Sequence, residues 1–253
     1  MAQTSPDARL EDALISFAIS HSGIGGPIAD SLVAMITGFT EMPTGEAGAS
    51  PAHLAASCAT SWYELLREEA GLNACIAELA AVVSASGLAS VPLDHAVGPI
   101  SVGLEVAVRI TDLIDAGTTR GMWSAAGTAA VLGGTVAAAT ARRASRQLGA
   151  AIGLGAAQAA ALDVGGDTFL ARRAAWSAAA ANDAVSASLH GITGPRFPIT
   201  GTAGLLTVIQ CVADPRLALD ELGSDWRSAS VLAPANQCRW HDTRCGQKGE
   251  KQW

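Results

Sequence analysis

The sequence predicts an all-α protein, a compact domain of Ala/Gly-rich helices, and three observations point to it. Arg120 to Pro195 reads as three consecutive helices of small residues. Gly127, Ala130, Val131, Gly134, Ala137, Ala138 and Ala141 recur at three- and four-residue steps, as do Leu148, Ile152, Gly155, Ala156, Ala159 and Leu162. Ala171, Ala174, Ala175, Ala178, Ala181, Val185 and Leu189 follow. Such spacing puts each set on one helical face. Second, glycine costs about 1 kcal/mol against alanine inside a helix. Its repeated use predicts helix backbones held close together. Third, apart from a short stretch near the C-terminus, the chain shows no strand alternation.

Each element follows from a local signal. Residues 1–9 are polar and read as a loose N-terminus. Leu10 to Ser20 is amphipathic, with Leu10, Ala13, Leu14, Phe17 and Ala18 on one face. Pro27 to Phe39 starts on a proline suited to a first helical turn. Glu41 to Ser50 is a loop, and Pro51 to Glu69 and Asn73 to Ser84 are helical. Ser86 to Asp94 reads as a loop. A long helix from His95 to Ile114 has Asp94 as its cap, with Pro99 starting or kinking it. His190-Gly191-Ile192 fits a Schellman ending. A last helix is expected over Ala203 to Val212 and a strand over Ser228 to Leu232. The organisation is thus a helical domain over 10–213, then a linker and the remnant of a second domain over 214–253 with a frayed tail.

Composition excludes several classes. The chain has 253 residues and is 49% hydrophobic, so it is no disordered chain. Its net charge of −7 argues against nucleic acid as a partner, because phosphate binding wants clustered Lys and Arg. Ala125–Ala141 and Leu148–Leu162 have membrane-like run lengths. They consist of residues too weakly apolar to span, so no membrane is expected. The first twenty residues lack the basic start and apolar run of a secretory signal. Five cysteines make no disulfide framework, and a reducing cytoplasm is the expected setting.

Several stretches together resemble the MmgE/PrpD family. Gly103-Leu104-Glu105-Val106-Ala107-Val108-Arg109-Ile110 is similar to its "GYEVAARL" helix. The Arg120-Gly121 turn with Gly127-Thr128 resembles its next segment. Gly155-Ala156-Ala157-Gln158-Ala159 resembles "AxSQASGL", and Gly191-Ile192-Thr193-Gly194-Pro195 resembles "GFTGP". Leu222-Gly223-Ser224-Asp225-Trp226 resembles the linker beyond, and Cys238-Arg239-Trp240-His241 the "YPxCRxxH" start of the second domain. The matches keep the family's order over residues 10 to 241. The resemblance implies a large helical domain that forms a homodimer, with a smaller lid domain and an active site between them. The family includes 2-methylcitrate dehydratase and cis-aconitate decarboxylase.

The family's acid/base positions carry other residues here. Its Asp-Asp pair falls near Tyr63 to Arg67, where this chain offers Glu64. Its His-Pro-Gly appears as Asn73-Ala74-Cys75. Its histidine after the "RG" turn falls at Trp123 or Ser124, and its lysine and histidine fall near Leu170 to Arg173. Only a histidine like His241 remains. Tyr63, Glu64 and His241 are therefore the catalytic candidates, a phenol, a carboxylate and an imidazole able to move protons. Tyr63 and Glu64 are equally explained by a surface helix.

Trp123, Ser124, Arg172, Arg173 and Trp176 are the substrate-binding candidates. Arg172 and Arg173 suit bidentate recognition of a carboxylate, or else a solvated helix start. Trp123 and Trp176 suit an apolar pocket wall, or ordinary packing. Cys238, His241 and Cys245 lack a fourth ligand for zinc, so no metal is expected, and no cofactor. Two functions stay open. The first is a lyase- or isomerase-type enzyme that promotes elimination, isomerisation or cyclisation of a small, largely apolar carboxylated metabolite. The other is a catalytically silent homologue that serves as a structural or binding partner of a full-length relative.

Overall fold

A computed structural model describes residues 9–23, 32, 48–89, 91–118, 122–159, 161–163 and 166–231. Helix α1 spans Leu10–His21, α2 Pro51–Glu68, α3 Ala74–Leu88, α4 Leu93–Gly117 and α5 Ala125–Ala141. Then come α6 over Leu148–Ala156, α7 over Asp167–Leu189, α8 over Leu205–Val208, a 3-10 turn at Pro215–Ala218, and α9 over Arg227–Val231. Among the described residues the only β pairings are isolated bridges, such as Trp123 with Leu162. The expected helix over 27–39 lies outside the described residues, apart from Leu32. His241 and the Cys238 and Cys245 thiols also lie outside them.

Helix α5 is the centre, packed by α4, α3, α7 and α6. Every residue from Ala125 to Ala139 is buried. Glycines set the spacing. A Cβ on Gly103 of α4 would stand 2.6 Å from the Gly133 carbonyl of α5, and one on Gly133 equally close to the Gly103 carbonyl. Only two bare backbones can cross there. A Cβ on Gly134 would sit 2.8 Å from the Ser86 hydroxyl of α3 and 3.1 Å from Ala181 of α7. The small-residue faces are thus filled within one chain.

Two apolar cores flank α5. One gathers α2, α3, the first half of α4 and the first half of α7, with Trp62, Leu66, Leu79, Ile100 and Ala174 among its members. The other gathers α1, the second half of α4, α6 and the loops after α7, with Phe17, Ile110, Leu148, Val185 and Ile209. No helix among the described residues is long and apolar enough to cross a membrane.

Helix boundaries follow chemistry the sequence shows. Asn73 caps α3 by accepting from the Ile76 N–H, and Ser124 caps α5 by accepting from the Gly127 N–H. Gly191, at φ +84°, ends α7. Its N–H bonds the Ser188 carbonyl and the Ile192 N–H reaches back to Ala187, the expected Schellman pair.

Several expectations fail, each for a local or tertiary reason. The loop expected from Ser86 is helix through Leu88, because Ser86 and Gly87 are buried against α5 and α4. Helix α4 starts at Leu93 with Pro92 at the cap, so Asp94 is a first-turn residue and caps nothing. The second small-residue helix stops at Ala156 and never reaches Leu162. The chain turns there because the Ala161 N–H donates to the Thr128 hydroxyl and Leu162 pairs with Trp123. The helix expected over Ala203–Val212 shrinks to Leu205–Val208. Gln210 turns to φ +56°, and the Cys211 N–H returns to the Leu206 carbonyl. The expected strand at Ser228 is the short helix α9, whose leading N–H groups, Arg227 and Ser228, donate to the Glu105 carboxylate.

Candidate functional site

The candidate residues separate into two places at the head of α7. The first is an open groove of about 540 Å³ lined by Gly166, Asp167, Thr168, Phe169 and Arg172. Asp167 begins α7 beside this groove. Its two oxygens accept from the Tyr63 hydroxyl at 3.0 Å and from Arg67 Nη2 at 3.3 Å. Arg67 also donates to the Leu72 carbonyl at 2.7 Å, which pins the turn after α2. Helical spacing puts Trp176 one turn beyond Arg172 on the same face. Its indole is 58% exposed and edge-on to Phe169, with ring centroids 6.1 Å apart. Arg172 is exposed and has no side-chain partner among the described residues.

The second place is buried. Arg173 Nε and Nη2 donate to the two oxygens of Glu78 at 2.5 and 2.6 Å. Nη1 donates to the Leu162 carbonyl, and Nη2 also donates to the Ser124 hydroxyl at 3.0 Å. Glu78 is fully buried and Arg173 nearly so. Burial pushes the Glu78 carboxyl up from its ordinary range, against the pull of Arg173. Arg173 is also raised; burial opposes this, and the Glu78 carboxylate outweighs it. The carboxylate this guanidinium recognises bidentately is thus one of the chain's own.

The expected residues fall as follows. Tyr63 is buried, and its phenol is pushed upward by burial first and by its bond to Asp167 second. It stays a protonated donor at neutral pH. Glu64, one position on, faces solvent. Ser124 closes the N-terminus of α5 and steadies Arg173. Trp123 is half-buried against the second core, and Trp176 stands on Phe169. Arg172 enters the groove while its neighbour Arg173 points inward, since adjacent helical positions face different ways.

Sequence reasoning missed Glu78, Asp167 and Arg67. Glu78 did have a signal. It is the lone charge in the apolar run from Ala74 to Leu88, and a charge buried among apolar residues needs a partner. Asp167 and Arg67 had none, because their meeting joins positions 100 residues apart. Among the described residues no three His, Cys, Asp or Glu side chains stand together as a metal site would need. Neither a protein-family model nor a curated protein sequence matches the chain.

Proposed function

We propose that the chain is a diverged, catalytically silent relative of MmgE/PrpD-type helical domains. In this reading it binds a small, largely apolar carboxylated metabolite in the groove ahead of α7, in a cytoplasmic setting. The observation that carries the reading is the different fate of two adjacent arginines. Arg173 is occupied by Glu78, whereas Arg172 lines an open groove with no carboxylate on it among the described residues. A guanidinium fork matches a carboxylate, and the Phe169–Trp176 pair offers apolar surface to the rest of such a ligand. Two of the other candidates have structural work: Tyr63 holds Asp167, and Ser124 caps α5.

Hexanoate is the simplest probe. It is expected to change Trp176 fluorescence, and Arg172→Gln is expected to weaken its binding at least about tenfold. Binding unchanged in that variant would overturn the reading. The silent assignment is tested separately. Purified protein is expected to show no dehydration of 2-methylcitrate and no decarboxylation of cis-aconitate. General acid–base groups contribute about 100- to 10,000-fold each, and most of the family's positions here carry residues without that chemistry. Turnover near one per second of either acid would refute it.

A second reading, a lyase or isomerase acting on the same kind of ligand, is favoured by one observation. Asp167 is the carboxylate that lines the groove. On that reading Asp167→Asn abolishes turnover and leaves hexanoate binding intact.

We also propose a homodimer, as the family resemblance implies. The small-residue helix faces are filled within the chain, so the contact falls on exposed apolar residues away from the groove, such as Leu189 and Ile192. Sedimentation showing only monomer at micromolar concentration would end that proposal.

A further inference from the structure

A different part of the molecule carries a second site. Arg9, Asp12, Arg196 and Phe197 line a cavity of about 350 Å³ where the start of α1 meets the turn after α7. The Arg9 guanidinium lies 3.7 Å from the Phe197 ring centroid and that of Arg196 lies 5.3 Å from it. Neither arginine has a carboxylate within ion-pair distance among the described residues. Two guanidinium groups at one ring outnumber the one carboxylate that lines the cavity with them, Asp12, and leave it attractive to an anion.

The arrangement is fixed by the chain beneath it. Glu11, buried in the first turn of α1, accepts from the Ile199 and Thr200 N–H groups at 3.0 and 2.7 Å and from the Thr200 hydroxyl. That carboxylate ties the α1 start to the turn that bears Arg196 and Phe197. The turn is anchored from its other side too. A Cβ on Gly194 would stand 2.5 Å from the Gly153 backbone of α6, so the two backbones are in contact. The ring orients both guanidinium groups by cation–π attraction, which lowers the ordering cost of binding.

We propose that this cavity binds the phosphate group of a small phosphate monoester, held between Arg9 and Arg196. Each guanidinium presents a planar fork of donors. A carboxylate fills one fork, whereas the three terminal oxygens of a phosphate monoester serve two. Asp12, the acidic wall, accepts from a hydroxyl on the ester portion and repels a bare dianion. The site is independent of the Arg172 groove and does not rest on the function proposed above.

The test uses the full chain, titrated with inorganic phosphate, glycerol 3-phosphate and succinate and followed by amide NMR shifts. Both phosphates are expected to move the Phe197, Ile199 and Thr200 amides. Arg9→Gln and Arg196→Gln are each expected to weaken them at least about tenfold. Asp12→Asn is expected to tighten inorganic phosphate, the opposite sign from the arginine changes. A merely structural role for Asp12 would not give that result. Arg216→Gln, at an exposed ion pair elsewhere, serves as the control and is expected to change nothing. The proposal is overturned if succinate binds as well as the phosphates. It is also overturned if the Arg196 change leaves binding intact, or if the control weakens binding as much as the cavity variants do.

Discussion

Two arginine–glutamate pairs are buried among the described residues, and they are built in opposite ways. Glu105 and Arg109 sit four residues apart on α4, their contact made within one helix. The pair then reaches outward to a distant segment. Arg109 donates to the carbonyls of Ala218, Asp220 and Asp225, and Glu105 accepts from the Arg227 and Ser228 N–H groups. Glu78 and Arg173 belong to different helices, 95 residues apart, and their contact is itself the tertiary link. Beyond each other they serve, among the described residues, only Leu162 and Ser124. The first pair is therefore a clamp whose value lies in the backbone groups it satisfies. The second is a strut between α3 and α7. A buried ion pair costs heavily in desolvation, so what else it bonds decides whether it can be replaced.

The largest effect should come from breaking either pair. Arg109→Leu and Arg173→Leu each leave a buried carboxylate uncompensated and are expected to cost about 3–5 kcal/mol in chemical denaturation. The difference appears in the double replacements. Glu78→Leu with Arg173→Leu is expected to recover most of the loss, since few other groups are orphaned. Glu105→Leu with Arg109→Leu is expected to stay strongly destabilised, because buried carbonyls and N–H groups lose their partners. Hydrogen exchange is expected to open residues 215–228 in that variant alone. Equal recovery in both doubles would erase the distinction between clamp and strut.

Gly134→Leu attacks the strut from a distance. Its side chain would press on Ser86 of α3 and Ala181 of α7, the same helices that carry Glu78 and Arg173. A loss of about 3 kcal/mol is expected, at the upper end of the usual cost of overpacking. A melting temperature equal to that of the parent protein would show that α3 and α7 can part without cost.

The core on the strut side also has a pH signature. Burial raises the Cys58 thiol from 9.0 to about 11. A raised folded pKa means stability that is whole below about pH 9 and lost as pH climbs through about 11. The expected loss is about 2–3 kcal/mol. Cys58→Ala should flatten this part of the stability–pH profile, and an unchanged slope would assign the loss to another group. The smallest effect is expected at Tyr63→Phe, which removes one partly buried hydrogen bond to Asp167. It should cost about 1 kcal/mol without changing hexanoate binding. A change in binding instead would move Tyr63 from support of the groove to its surface.

The sequence by itself determined the helices and much of their ends. Recurrence of Gly and Ala at three- and four-residue steps marks α5 and α7, and the signals at Pro51, Asn73 and Gly191 are read within one turn of chain. That Glu105 and Arg109 stand one helical turn apart was legible for the same reason, since a helix brings positions i and i+4 together. What lay beyond the sequence was whatever depended on a partner far along the chain. Leu162 left its helical pattern for a bridge to Trp123, and α9 formed where a strand was expected because Glu105 receives its N–H groups. Arg172 and Arg173 look alike in the sequence, yet one faces the groove and the other meets Glu78. Local propensity is a property of neighbouring residues; which arginine stays open to a ligand was decided by how α3 and α7 cross.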